Sequence, residues 1–356
     1  MSDPAVPSRR YLTIVVASLS LIVLSCVAFL VPVPYVTMSP GPAYNTLGEF
    51  DDEPMFRFEE DVKTYPTKGS LIFLTVLVTR PEADMSLATA VEAFFTDDTA
   101  VVPRSVVYPA GESNREAKRK SKADLTGSED ASRLAALRVT GYKPSESATI
   151  ASVQDDGAAH MILRKGDKIR GVDGRRTPTS AAVVESIGRV DPGDTVTLDI
   201  TRDFQQKRVE IVTRKNPKNA KKALIGVTLG QALDLPVAFG SNFPGRVGGS
   251  SAGLMFALAL YDQLTPGSLT GGQKIAGTGK ISADGLVGQI GGIQQKIAGA
   301  AKANATVLLV PELNCGQATE VDDHGLRLVK VSTLKGAIDA LEALAKDPKA
   351  SVPSCK

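Results

Sequence analysis

Residues 11 to 36, YLTIVVASLSLIVLSCVAFLVPVPYV, contain no charged side chain. A helix of about 20 apolar residues crosses a hydrocarbon core of about 30 Å, so this run commits the start of the chain to lipid and leaves the rest to fold outside it. The expected span is 11–33, ending in the proline-rich exit VPVPYVTMSPGP. Arg9 and Arg10 stand just before it, and the first acidic or basic residue after it is Glu49. The positive-inside tendency then places the tail 1–10 in the cytoplasm and the body outside, as a single-pass protein of the plasma membrane. A cleaved signal peptide would have a shorter apolar region and a small-x-small cleavage site. The sequence VLSC at Cys26 invites a lipoprotein reading, but Leu24 suits that site poorly and the apolar run continues past it.

The chain's charges are nearly balanced, 41 lysines and arginines against 39 aspartates and glutamates, so no basic field argues for a nucleic-acid partner. Tryptophan is absent and aromatic residues make up 5%, which leaves little surface for stacking on bases. With 43% hydrophobic residues in 356, the chain can fill two or three domain cores. Outside the cytoplasm accessible thiols tend to pair. With Cys26 in the span, Cys315 and Cys355 are the two that could bridge, tying the C-terminal tail 346–356 to the last domain; two unpaired thiols are the alternative.

Residues 34–67, with SPGPAYNTLGEF and FEEDVK, read as a membrane-proximal linker. A first α/β segment, 68–145, follows. Its GSLIFLTVLV, 69–78, is a buried strand by its β-branched apolar content. MSLATAVEAFF has helical spacing, with Ser86 placed as an N-cap. The charged stretch ESNREAKRKSKADLTGSEDASRLAALRVTGY reads as a largely solvated helix whose apolar face comes late, at Leu134, Leu137 and Val139.

Between 147 and 215, SATIASVQDDGAAHMILRKGDKIRGVDG is followed by a helical segment and two alternating strands, TVTLDIT and RVEIVT, with a tight turn at Asp173 and Gly174. This stretch resembles a PDZ domain, assigned to 146–215. The resemblance implies a mostly β unit that takes an extended peptide as an added strand. No GLGF-like carboxylate loop precedes Ala148, where TGYKPSES stands.

The stretch VGGSSAGLMFALAL, 247–260, puts two serines before a run of small and apolar residues that reads as a buried helix. Most serines at helix starts are N-caps, so a nucleophile needs a second residue able to take its proton. The two histidines are weak partners: His160 lies in the PDZ-like segment, and His324, in VDDHGLRL, sits in a turn beside Asp322 and Asp323, where it would have to build a Ser-His-Asp set. Lys296, in GGIQQKIAGAA, lies among Ile293, Ile297 and Ala300 on a helix. A lysine held among apolar groups has a lowered pKa and can act as a general base near neutral pH.

GSSAG followed by TGKISADGLVGQIGGIQQK closely resembles the proteolytic domain of the Lon protease family, over 224–345. The resemblance implies an α/β (α+β) domain in which Ser251 is the nucleophile and Lys296, 45 positions on, is its base. Thr278 matches a threonine that helps to hold the lysine, and backbone N–H groups near Gly249, Ser250 and Ser251 are candidates for the oxyanion. The family commonly has proline where Ser250 stands. The sheet upstream of 250 is short, so strand 69–78 and helix 86–95 are expected to complete a split protease domain into which the PDZ-like unit is inserted.

These features imply a membrane-anchored serine endopeptidase acting on unfolded or membrane-proximal protein segments. AGTGKIS does not have phosphate-loop spacing, since Lys274 stands where the first glycine should be and Ile281 follows Lys280. ATP-independent action, no cofactor and no metal site are therefore expected. Rings are common among the proteins it resembles, so a homo-oligomer is the expectation by analogy. The rival reading is a membrane-anchored PDZ scaffold that binds peptides on a protease fold without cutting them.

Overall fold

The computed structural model describes residues 9–80, 83–109, 111–142, 145–217, 219–239 and 247–356. The first eight residues of the expected cytoplasmic tail lie outside these. The opening helix is Arg9–Leu30, with none of its residues buried against the body. It is long and apolar enough to be a membrane span or a signal sequence. It stops three residues before the expected end at 33, because Pro32–Val33 leaves the helix to pair antiparallel with Met85–Ser86.

The body is organised on a mixed six-stranded sheet, in the order Arg327–Val331, Val307–Pro311, Lys274–Gly277, Ser70–Val78, Tyr35–Asn45, Ala100–Pro103. The first four strands run parallel and the last two are antiparallel to their neighbours. Ser70–Val78 thus lies directly beside Lys274–Gly277, with Phe73 opposite Gly277. Alternate residues of the strands enter two different cores: Leu71, Phe73, Val307 and Leu309 face one, and Ile72, Leu74, Leu308 and Val310 the other. Such continuous apolar runs are what a sheet covered on both faces requires.

One face is covered by helices Gly253–Leu264, Asn114–Val139 and Leu334–Lys346, the other by Ile293–Lys302. Gly253–Leu264 is buried from Gly253 through Leu260, which its small and apolar residues allow. At Gly253 a Cβ would stand 2.5 Å from Ser128 Oγ and 2.7 Å from Ile281 Cγ2, so only glycine permits this approach.

Two expectations are corrected here. The stretch 34–67 is not a linker, since Tyr35–Asn45 is an eleven-residue strand inside the main sheet. Its Pro40-Gly41-Pro42 core sits in a bulge, beyond the residues that pair with Ala100–Pro103, where proline's missing N–H leaves no ladder bond unmade. The helix Asn114–Val139 is not merely a wet rod: Leu125, Ser128, Ser132, Ala135, Ala136 and Leu137 are buried. Its start carries a capping box between Ser113 and Glu116.

A second, all-antiparallel sheet forms a separate unit, in the order Gln205–Val212, Thr195–Arg202, Lys168–Val172, Ser145–Val153, Val227–Asp234. Helix Ser180–Ile187 closes its own core, which includes Ile150, Leu163, Val183, Leu198 and Ile211. Val227–Asp234 was expected in the protease part beginning at 224, but it pairs with Ser145–Val153 and belongs to this unit. The chain returns to the body at Val237–Phe239, paired with Phe56–Phe58. Where the two units meet, Lys168 and Arg170 bind Glu59 and Asp234 in a four-charge node. Burial alone would raise the Asp234 carboxyl, and the two cations hold it below its ordinary value.

At the far end of the body, Cys315 is joined to Cys355. The tail it fastens lies against the outer strand of the main sheet, with Lys330 N–H donating to Pro353 O at 3.0 Å.

Candidate active site

Lys296 lies in the first turns of Ile293–Lys302, a helix entered through Gly292 in the left-handed region, with φ 68°. The entry is pinned by Asn314, which accepts from Ile290 N–H at 2.9 Å and donates to Ile290 O at 3.0 Å. Lys296 is 2% exposed, and Ile293, Ile297 and Ala300 of the same helix are buried as well. Burial lowers its ammonium from the ordinary 10.5 to about 7, because a charge away from water is disfavoured.

The Lys296 Nζ stands 2.7 Å from Ser251 Oγ and 2.8 Å from Thr278 Oγ1. Ser251 precedes the helix Gly253–Leu264, whose cap residue is Ala252, with no side-chain cap. The N-cap explanation therefore does not apply to Ser251: its hydroxyl faces the lysine. Its carbonyl is held twice, by Gly279 N–H at 2.8 Å and by the Thr278 hydroxyl at 3.1 Å. Thr278 follows strand Lys274–Gly277 and is fixed to the neighbouring strand by its N–H on Leu309 O. Ser251, Lys296 and Thr278 thus meet at the C-terminal edge of the parallel strands.

Of the three expected oxyanion donors, Gly249 is excluded, since its N–H is committed to Ser121 O at 2.8 Å. The amides of Ser250 and Ser251 meet no acceptor among the described residues. Ser250 O accepts from Ser128 Oγ at 3.1 Å. Ser121 and Ser128 hold the Gly249–Ser250 loop from helix Asn114–Val139, and neither was legible in the sequence, because the partners of the Ser128 bond are 122 positions apart. Asn314 was also missed; a polar residue between an apolar strand and a cysteine was the only signal.

His324 lies elsewhere, in a turn with Asp98 and Asp322 each 3.8 Å away, and His160 belongs to the second unit. Among the described residues no cluster of three or more His, Cys, Asp or Glu could hold a metal ion.

Replacing Thr278 by valine keeps its shape and removes the hydroxyl that receives the Nζ and holds Ser251 O. A buried hydrogen bond left unmade costs about 1–3 kcal/mol, so a loss of roughly 10- to 100-fold in kcat is expected, with KM little changed. Thr278→Ser should restore most of it. Equal activity in Thr278→Val and wild type would remove the threonine from the site.

Residues 244–345 match the Lon protease (S16) C-terminal proteolytic domain, and residues 123–213 match a PDZ domain. A Lon protease of Geobacter metallireducens is 35% identical over 107 residues, which cover 29% of this chain and 13% of that protein. A probable periplasmic serine endoprotease DegP-like of Halomonas elongata is 34% identical over 84 residues, 23% of this chain and 18% of that protein. The chain therefore spans under a fifth of either relative. Among solved structures, the PDZ domain of an SdrC-like protein of Listeria monocytogenes aligns at 27% identity over 23% of this chain and 86% of that one, with a TM-score of 0.22. The chain carries a Lon-type proteolytic domain and a PDZ domain.

Proposed function

We propose that this chain, which carries a Lon-type proteolytic domain and a PDZ domain, is a membrane-anchored serine endopeptidase that cuts unfolded or membrane-proximal protein segments with a Ser251–Lys296 dyad and without ATP. The observation that carries the reading is the 2.7 Å contact between Ser251 Oγ and the buried Lys296 Nζ. With its pKa lowered to about 7, the lysine is largely neutral above that pH. The neutral amine then has a lone pair to receive the Ser251 proton while an N–H donates to Thr278 Oγ1.

The steps follow from that arrangement. Ser251 Oγ attacks the scissile carbonyl carbon as its proton moves to Lys296 Nζ. The developing oxyanion takes hydrogen bonds from the amides of Ser250 and Ser251. Lys296 returns the proton to the departing amine, the C–N bond breaks, and an acyl ester on Ser251 remains. Water enters, gives a proton to Lys296, and hydrolyses the ester; the proton then returns to Ser251.

The place of the dyad supports membrane-proximal substrates. Strand Ser70–Val78 runs five residues beyond Phe73, the partner of Gly277, and Val78 pairs with Met38 on the strand leading from the first helix. At about 3.3 Å per residue, the dyad lies about 17 Å from that end of the sheet. With Arg9 and Arg10 on its N-terminal side, the helix Arg9–Leu30 would leave the site on the outer face of the membrane. The PDZ domain would present peptide segments to it.

Full-length protein in nanodiscs should hydrolyse fluorogenic peptides and an unstructured protein without nucleotide, and spare folded domains. Peptide binding with no turnover would replace this reading by a binding scaffold. Turnover only with ATP would overturn its ATP independence.

A further inference from the structure

Helix Leu87–Phe94 is out of character for a soluble surface. Its Leu87, Val91 and Phe94, at helical positions i, i+4 and i+7, form one stripe that continues into Phe95, and all four are exposed. Phe94 and Phe95 are 72% and 79% exposed and lie edge to face against one another, with ring centroids 5.4 Å apart. The opposite side of the helix carries Thr89 and Glu92 and is also exposed, while Ala90 is buried. Contiguous exposed apolar patches of this kind mark an interaction surface.

What covers it can be read from its neighbours. The residues immediately before the helix, Met85 and Ser86, pair with Val33 and Pro32, three and two residues past the end of the candidate span. The helix itself packs against Arg9–Leu30. Further exposed apolar side chains gather around the same exit, at Tyr35, Leu77 and Val106. A helix packed on a lipid-embedded helix shares its surroundings, and aromatic side chains are enriched where a membrane meets water.

We propose that Leu87–Phe94 and Phe95 form a second membrane contact, seated in the interfacial region of the bilayer that the first helix crosses. A helix of eight residues would bind lipid weakly alone. The span already fixes it beside the surface, so the contact is in effect intramolecular and needs little affinity of its own. Two points of attachment define an orientation where one defines only a tether, so the protease body would hold a set attitude above the lipid. The inference rests on the reading of Arg9–Leu30 as a span.

The chain has no tryptophan, so a single substitution supplies a unique fluorophore. Three full-length variants are placed in phosphatidylcholine–phosphatidylglycerol vesicles: Phe94→Trp, Ile22→Trp in the middle of the first helix, and Val212→Trp on an exposed strand of the PDZ domain. Lipids brominated close to the headgroup should quench most of the Phe94→Trp emission. Lipids brominated near the chain ends should quench Ile22→Trp more strongly, and Val212→Trp should be unaffected by either. If Ile22→Trp is quenched and Phe94→Trp is not, the second contact is overturned; a blue-shifted but unquenched Phe94→Trp would mean that protein, such as a second copy, covers the patch. If neither is quenched, the span itself fails and the inference falls with it.

Discussion

Ser251→Ala should lose about four to six orders of magnitude in peptide hydrolysis, the scale seen when a nucleophile is removed from a serine protease. The substitution deletes one oxygen at a half-buried position and leaves the Ser251 carbonyl bonds to Gly279 and Thr278 in place. The fold should therefore survive, and circular dichroism and peptide binding should match wild type. Burst-phase acylation should disappear along with turnover, because no ester can form. Retention of hydrolysis in Ser251→Ala, with His324→Ala inactive instead, would move the chemistry to a different set of residues.

Lys296→Met should be as inactive as Ser251→Ala and yet more stable near neutral pH. The folded protein holds this ammonium at about 7, against an ordinary value of 10.5. Between those values the unfolded chain binds the proton that the folded one releases, so wild-type stability rises with pH across that window. The burial cost is full below pH 7 and fades towards 10.5. At 1.36 kcal/mol per pH unit it is on the order of 5 kcal/mol. Methionine loses two hydrogen bonds worth about 1 kcal/mol each, which leaves a net gain of roughly 3 kcal/mol below pH 7. A urea midpoint that climbs between pH 7 and 10 in wild type and stays flat in Lys296→Met would match this account. Equal slopes in both proteins would contradict it.

The same ionisation shapes turnover. With Lys296 as the proposed base, turnover would need the neutral amine, so kcat/KM should rise with pH through about 7 and level off above it. Glu129 also titrates near 7, raised by burial, with Arg133 lowering it and Asp130 raising it. Glu129→Gln should leave the limb where it is, and a limb that vanished in that variant would belong to the carboxylate.

The site was legible because its chemistry is carried by short motifs. GSSAG and GGIQQK carry Ser251 and Lys296, the two residues of the proposed dyad, and the buried run after Ala252 foretold how tightly the helix would be packed. The strand Ser70–Val78 was legible for the same local reason, an apolar run between turn formers. Tyr35–Asn45 was not: its Pro40-Gly41-Pro42 signals a loop, and only the bulge in the sheet reconciles those residues with a strand. Val227–Asp234 failed differently, since a domain boundary drawn at 224 from resemblance does not say which sheet the next strand joins. Helix Asn114–Val139 looked solvated because its buried face mixes two leucines, Leu125 and Leu137, with serines and alanines whose partners lie far along the chain. Ser128 and Ser121 owe their importance to what stands opposite them, which no window of sequence contains.

That long helix has a practical consequence. Its middle grips the loop before Ser251 at Gly249 and Ser250, and its C-terminal end runs within a few residues into the first strand of the PDZ domain. The chain crosses back at Val237, beside the node of Glu59, Lys168, Arg170 and Asp234. Domain dissection therefore has no neutral cut point in this protein. Excising the PDZ domain would unmoor the rod that packs against the proteolytic domain, and a silent truncation would report fraying of that rod before it reported anything about recognition.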